Sequence, residues 1–554
     1  MEPVDLGLPA KFAQFRRGQS DTALGIACAD KRFYLLSAPT GSGKSIIYMA
    51  VARLLDTRTL VLTSTKGLQA QLNRDFASIG LTDIRGQNNY RCVAVDAGGE
   101  LSAFGVPGTM CDEGPCRIGV QCAFKPTQGN EDQAGCLYYD AVRRAREARL
   151  VVTNYAYWMT NNKYADPAAL GEFGLLILDE AHAAPDELAD FCAVRIDRDE
   201  LRQLTGMSLP PLDESASTWV NWAITALEEV KVRYMAARRD LTAIGADRRR
   251  AARAVKRLTD LGKRLKALSE AHKWRRGEPS HPDVWMPGMQ TDWVAEETRT
   301  GAVFSPVWAH AYAEEYLFKS VPRVVMVSAV LQRAAARYLG VAPDALEFSE
   351  MGSTFDPARR PLIYVPTTRV DRRMTEGQVR IWLNRIDDII DGRLDRKGII
   401  HTRSYDRAKA IMERSRHSPI MIAHTTRTAR EAIERFKRAS APCVLVSPSV
   451  EEGYDFPMDE CRYQILAKVP FVDTRSAVIR ARARSDKTYL NYLTALSVIQ
   501  QTGRGMRAED DLCESLMIDD HWVWWKRAAR DMFPKWFRAA WRDSARVPEA
   551  PRLR

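Results

Sequence analysis

The stretch FYLLSAPTGSGKSIIYMAVARLL, residues 33–55, leaves this chain little freedom in how it folds. An apolar run reads as a short buried strand, APTGSGKS as a Gly-rich turn, and IIYMAVARLL as an amphipathic helix. A strand that feeds a helix through such a turn belongs to a βαβ unit, which predicts a parallel sheet covered by helices on both faces. Thr40, Gly41, Ser42, Gly43, Lys44 and Ser45 form the candidate nucleotide-binding loop. Gly41 and Gly43 let the backbone curl so that its N–H groups face a β-phosphate. Lys44 reaches the β- and γ-phosphates, and the Ser45 hydroxyl can ligate Mg²⁺. Ala38 stands where the general pattern has its first Gly. The plain alternative is a chance Gly-rich turn before a helix, and the ordered strand, turn and helix weigh against it.

A second apolar strand, GLLILDEAHA (174–183), ends in two adjacent carboxylates. Asp179 is placed to bind Mg²⁺, and Glu180 to orient and deprotonate an attacking water. An ordinary strand-to-helix cap with Asp as the capping residue is the competing explanation. The two loops together predict hydrolysis of ATP or GTP.

A chain of 554 residues exceeds what one hydrophobic core supports, so several domains are expected. No run of about 18 apolar residues suggests a membrane span. The amino-terminal MEPVDLGLPAKF lacks the basic and apolar regions of a secretion signal, so a cytoplasmic location is expected. There, isolated disulfides are disfavoured and clustered cysteines suggest metal. Five of the ten cysteines cluster as Cys92-x18-Cys111-x4-Cys116-x5-Cys122-x13-Cys136, in a stretch rich in Gly, Pro and charge. Zinc, an iron–sulfur cluster and free thiols all remain open on spacing alone, although no Cys-x-x-Cys knuckle is present. The net charge is +11, and residues 233–276, with 15 Lys and Arg against 4 Asp and Glu, carry an excess of that size. Such a surface suits a polyanion, although a solvated helix face would look the same.

The spelling of these elements narrows the reading. APTGSGKS and DEAH resemble motifs I and II of superfamily 2 helicases, and further segments resemble the rest of the series in order. FRRGQ (15–19) resembles an adenine-recognition element, with Gln19 on the base edge. LVLTSTKGLQAQL (60–72) and VVTNYAYWM (151–159) resemble segments that touch the DNA backbone. VVMVSAVL (324–331) resembles motif III, but Val330 replaces the usual Thr, and the lost hydroxyl is expected to loosen the link between hydrolysis and movement. VLVSPSVEEGYDFP (444–457) resembles motif V, with Glu452, Gly453 and Asp455 at matching positions. QQTGRGMRAEDD places Gln500, Gly503, Arg504 and Arg507 in the pattern of motif VI. Arginines contributed across a cleft stabilise the charge that spreads over a transferring γ-phosphoryl group. Arg504 and Arg507 are the candidates, with Gln500 contacting the γ-phosphate or the water.

The cysteines lie where the XPD/DinG family of DNA helicases carries an inserted iron–sulfur domain. GQNNYRCVA around Cys92 and GCLYYDAVRRA around Cys136 resemble the contexts of its first and last ligands. The resemblance implies a [4Fe–4S] cluster held by Cys92, Cys116, Cys122 and Cys136, with Cys111 in reserve. It also implies an α/β fold of two RecA-like doubly wound parallel-sheet domains with an inserted iron–sulfur cluster domain and an inserted helical arch domain. The expected boundaries give the first RecA-like domain residues 1–88, 140–190 and 301–335. The cluster domain takes 89–139, the arch 191–300 and the second RecA-like domain 336–554. Within the arch, Val255, Leu258, Leu261, Leu265 and Leu268 form one apolar stripe, consistent with a helical hairpin turning near Gly245. The segment DDHWVWWKRAARDMFPKWFRAAWRD is dense in Trp and Arg, and packing explains it better than base stacking.

The function implied is an ATP-dependent DNA helicase that translocates on single-stranded DNA and unwinds forked duplexes, 5′-to-3′ by resemblance. ATP, Mg²⁺ and the [4Fe–4S] cluster are the expected cofactors. A monomer without a membrane is expected, with a recruiting protein as a further partner. Rival readings are a single-strand translocase, an unwinder of RNA–DNA hybrids, and an ATP-gated DNA-binding subunit of a larger assembly.

Overall fold

The computed structural model describes residues 1–126, 135–164, 170–243, 247–271, 292–353, 355–448, 454–506 and 511–553. Two seven-stranded parallel sheets dominate it. The first takes Phe33–Ser37 (β1), Thr59–Thr63 (β2), Leu81–Asp83 (β3), Leu150–Asn154 (β4) and Leu175–Asp179 (β5). Val194–Asp197 (β6), Trp293–Glu297 (β7) and Gly301–Pro306 (β8) follow outside that sheet, which resumes with Arg323–Ser328 (β9) and Leu346–Glu350 (β10). The strand order is β10-β1-β9-β5-β2-β4-β3. β1, β2 and β5 are buried throughout, as strands covered by helices on both faces must be. The helix Lys44–Leu55 buries Ile46 through Ala52 against one face.

The second sheet takes Leu362–Thr368 (β11), Lys397–His401 (β12), Met421–Ala423 (β13), Cys443–Ser447 (β14), Tyr463–Leu466 (β15), Glu514–Asp519 (β16) and Trp541–Asp543 (β17). Their order is β13-β14-β12-β15-β16-β11-β17. The expected boundary between the RecA-like domains at 335/336 is corrected by this topology, because β10 pairs along β1 as the edge of the first sheet. The first domain therefore runs past Glu350. Behind the second sheet, Arg393 and Glu514 form an ion pair at 2.7 Å, both side chains sealed from solvent. Removing one partner of such a pair leaves the other charge buried alone, which costs about 3–5 kcal/mol. Glu514→Ala is expected to lower the unfolding free energy of the second domain by about 3–5 kcal/mol, measured by urea denaturation.

The two insertions differ in how they cohere. β6, β8 and β7 form an antiparallel sheet at the base of the arch. From it rise the helices Ala216–Thr242 and Arg248–Ser269, and the latter buries Val255, Leu258, Leu261, Leu265 and Leu268, the stripe expected from sequence. The turn near Gly245 lies outside the described residues. Among its described residues the cysteine-bearing insert has only short turns and the four-residue helix Val93–Asp96. It assembles a small apolar cluster of Ala94 and Val95 with Cys92 and Cys111, against which Cys122, Phe124, Cys136 and Tyr138 pack. The arch reaches across to it: Arg238 donates from Nη1 to the Ile118 carbonyl at 2.6 Å, and Lys256 Nζ lies 3.7 Å from Glu113.

The aromatic carboxyl-terminal region is core, as packing predicted. Trp522 and Trp525 are fully buried against Phe533 and Trp541. Trp524 is the exception, half exposed to solvent.

Candidate active site

The phosphate loop follows β1, and its left-handed glycines explain their positions. Gly41 has φ +77° and Gly43 φ +74°, where a side chain is strained. A Cβ on Gly41 would also meet the Phe355 ring at 2.8 Å, so the loop is pressed against the chain that enters the second domain. Gln19 braces the loop from behind. Its Nε2 donates to the Ser42 carbonyl at 2.7 Å, and its Oε1 accepts from the Arg16 N–H at 2.8 Å. Arg16 in turn donates from Nη1 to the Gly41 carbonyl at 2.7 Å. Each end of the Gln19 amide retains one unused bonding position.

Across the turn, β5 delivers Asp179 and Glu180. Glu180 takes φ +49°, outside the comfortable range for a side chain, which turns its carboxylate toward the loop. Lys44 Nζ lies 3.3 Å from Glu180 Oε1. Burial alone would raise the Glu180 carboxyl, but Lys44 and His182 more than offset this and hold it well below the usual range. Asp179 is pushed up by burial and by its charged neighbour Glu180. Tyr48 OH donates to Asp179 Oδ2 at 3.3 Å, and Tyr155 OH to the Asp179 carbonyl at 3.2 Å. The two carboxylates thus differ: one is fixed in its ionised form, the other held in a tight, poorly solvated place.

His182, which the sequence reading left without a role, joins the domains. Its Nδ1 lies 2.9 Å from Ser328 Oγ and its Nε2 2.7 Å from Gln500 Nε2. Gln500 sits on the helix Tyr489–Thr502 of the second domain. One turn further, a Cβ on Gly503 would meet Thr40 Oγ1 at 2.9 Å, so the domains touch across the loop. Arg504 donates from Nη1 to the Tyr454 carbonyl at 3.2 Å and lies 3.7 Å from Asp455. A cleft of about 460 Å³ is lined by Thr40, Gly41, Gly43, Lys44, Ser45, Asp179, Glu180, His182, Asp455, Gln500 and Arg504. Arg507, Glu452 and Gly453 lie outside the described residues.

Val330, where the resembled motif has Thr, packs among apolar side chains. It is buried, and with Ala329 it belongs to an apolar cluster containing Leu466, Val469, Ala495, Val498 and Ile499 of the second domain. The turn after β9 therefore meets the second domain through apolar contact. Val330→Thr would bury a hydroxyl in that contact, at a cost of about 1–3 kcal/mol where it finds no partner. Its expected effect is fewer base pairs unwound per ATP hydrolysed, measured with paired strand-displacement and phosphate-release assays.

Among the described residues no three His, Cys, Asp or Glu side chains stand in a preformed ion site. The thiols are nonetheless gathered. Hydrogen bonding with Cys111 lowers the Cys92 and Cys136 thiols, and Cys111 between them is raised. Cys116 is raised by burial and by the charges of Cys122, Cys92 and Cys136. Cys111, the reserve in the sequence reading, is buried in the same small cluster as Cys92, with Cys136 packed against it, and donates from Sγ to the Arg91 carbonyl at 3.2 Å. Several thiols converging where little else forms a core is a donor set that fits an iron–sulfur cluster.

Two RecA-like domains closing on a phosphate loop, a carboxylate pair and an arginine are the layout of a helicase-type motor ATPase. Residues 12–205 match the type III restriction enzyme res subunit family, and residues 393–540 the helicase C-terminal domain family. A solved XPD helicase superposes with a TM-score of 0.57 over 95% of this chain and 98% of its own, at 13% identity. Xpd4 of S. tokodaii gives 0.58 over 96% and 100%, also at 13% identity. The ATP-dependent DNA helicase YoaA of Haemophilus influenzae is 25% identical over 206 residues, 30% of this chain and 32% of that protein. The match thus spans about a third of the curated relative's length. Together with the ordered motifs, the two family matches and the curated relative support a helicase of the XPD/DinG-like superfamily 2 type, and the solved structures show the same fold.

Proposed function

We propose that this chain is an ATP-dependent DNA helicase that moves along single-stranded DNA, 5′-to-3′, and unwinds forked duplexes. The observation that carries the reading is the cleft, where Lys44 and Glu180 of one domain face Gln500 and Arg504 of the other. Lys44 holds the β- and γ-phosphates, Glu180 takes the proton of the attacking water, and Arg504 offsets the charge developing on the γ-phosphoryl oxygens. Arg507 joins it by its place in the motif. Ser45 and Asp179 are the residues that would hold Mg²⁺, which would neutralise charge on the same oxygens. Gln19, placed behind the loop, reads the adenine edge with its unused bonding positions. His182 passes the state of the cleft to Ser328, because it touches both that side chain and Gln500. Nucleotide binding then favours the closed pair of domains, and product release lets them part.

The cysteine-bearing insert would hold a [4Fe–4S] cluster through Cys92 and Cys136 with two of Cys111, Cys116 and Cys122. Packing of Cys122 and Cys136 against a small cluster that contains Cys92 and Cys111 supports a shared site. A bound cluster would supply the cross-links that a segment with so small an apolar core lacks. The exposed arginines 248–250 of the neighbouring arch suit a phosphate backbone passing between arch and insert.

The test is strand displacement by anaerobically purified protein on forked duplexes with only a 5′ or only a 3′ single-stranded tail. Unwinding of the 5′-tailed fork alone is the expected result. ATP turnover stimulated by DNA with no displacement of either fork would replace the helicase reading with that of a translocase. Absence of DNA-stimulated turnover would overturn both.

A further inference from the structure

At the amino ends of β12, β14 and β15 the second domain forms a cavity of about 530 Å³, which shares no lining residue with the ATP cleft. Its walls come from the chain entering β12, from the end of the helix Ala429–Arg438, and from the segment ahead of β15. Seven charged side chains line it, and six of them are matched. Arg396 grips Asp395 with two parallel bonds of 2.7 and 2.8 Å and spends its third nitrogen on the Pro551 carbonyl. Lys437 pairs with Glu460 at 3.2 Å, and Arg462 with Asp459 at 2.7 Å.

Lys397 is the seventh. It is only 5% exposed, and among the described residues no carboxylate stands at ion-pair distance from it. Its Nζ donates to the Lys437 carbonyl at 3.0 Å, capping the last turn of that helix, and lies 4.7 Å from the centroid of the Phe436 ring. An ammonium carries three N–H donors, so the cap leaves two unspent. A buried charge without a counter-ion is costly, and burial lowers the Lys397 ammonium accordingly. The carbonyl and the ring face offset part of that cost. Capping a helix explains one donor, and it requires neither a cavity nor a cation in excess.

We propose that this cavity is a binding site for a small anion, one bearing a carboxylate or a phosphate group, held on the Lys397 ammonium with Lys437 and Arg396 beside it. Four cations against three carboxylates leave the lining with a net charge of +1. That suits a single anionic group and is too little for a polyanion, which needs many neutralising contacts. The site stands apart from the helicase reading, since none of its residues belongs to the cleft.

The experiment is equilibrium dialysis of labelled inorganic phosphate and of labelled succinate against the full chain, with the ATP cleft filled by a non-hydrolysable ATP analogue. One saturable site for at least one of the two anions is expected. Lys397→Met is expected to weaken it at least about tenfold, the loss of a charge-assisted hydrogen bond. Glu460→Gln removes the carboxylate that repels the ligand and is expected to tighten binding about threefold. Saturation by phosphate alone or by succinate alone supports the site and identifies the group it takes. No saturable binding of either anion, or unchanged affinity in Lys397→Met, overturns it and leaves Lys397 as a helix cap. Where Lys397→Met does not fold, Glu460→Gln decides, because its side chain is one-third exposed; binding that this variant leaves unchanged or weakens overturns the site.

Discussion

Lys44→Ala is expected to remove ATP hydrolysis, with turnover falling at least about a thousandfold, and to abolish unwinding with it. The side chain does two things at once. Its ammonium lies 3.3 Å from Glu180 and opposes the effect of burial on that carboxyl. It is also the cation placed to meet the β- and γ-phosphates, whose charge must be offset in a site where water is scarce. Alanine removes both, so Glu180 and the γ-phosphate face each other as like charges. Phosphate release under saturating ATP and single-stranded DNA measures the loss. Turnover within tenfold of the unmodified chain would mean that residues 38–45 are not the phosphate loop. Binding of single-stranded DNA without nucleotide should persist in the variant, because Lys44 lies on no DNA-facing surface argued above.

Cys136→Ser is expected to strip the protein of iron and of unwinding while leaving much of its ATP hydrolysis. Cys136 opens the helix Leu137–Glu147, which leads back into β4 of the first domain. A cluster anchored there ties the insert to the sheet beneath it. Without that tie the insert retains an apolar cluster of only a few side chains, too little to hold its turns in place. The ATP cleft draws none of its lining from residues 92–136, which is why hydrolysis and unwinding should separate. Iron content, absorbance near 400 nm and the two activities are the measurements. Within the same series, serine at Cys111, Cys116 or Cys122 is expected to cost iron at two of the three positions, and full iron content marks the spare thiol.

Most of the fold was legible because it rests on local signals repeated in order. Each strand of the two sheets that carries a motif is a short apolar run, and each is followed by a turn whose Gly, Ser or acid has a chemical reason to be there. The arch helix was legible from one stripe of Val and Leu at helical spacing. What escaped is what depends on pairing at a distance. β10, LEFSE, is half-exposed and without a motif, and only its register along β1 reveals its domain. Cys111 could not be ranked against its neighbours by spacing, because its burial beside Cys92 joins residues brought together by the fold. The setting of Val330 was hidden for a related reason. The sequence shows a missing hydroxyl, but much of the apolar cluster that holds Val330 is contributed by residues more than a hundred positions away. Trp524 was hidden among buried tryptophans whose spacing differs from its own by only one or two residues.

The interleaving of the first domain bears on how the chain is made. Phe33 of β1 pairs with Leu346 of β10, and β9 inserts between β1 and β5, so the sheet cannot be finished until more than three hundred further residues have left the ribosome. At about 5–20 residues per second this is a wait of roughly 15–60 s. During it β1 and β5 both lack β9, and their unpaired edges are the kind that recruit strands from other chains. Both insertions emerge within this interval, and the arch helices, whose contacts are local, can form before the sheet that carries them is closed. Nascent chains halted before residue 323 should therefore hold chaperones longest, and release should follow emergence of β9 rather than of the phosphate loop.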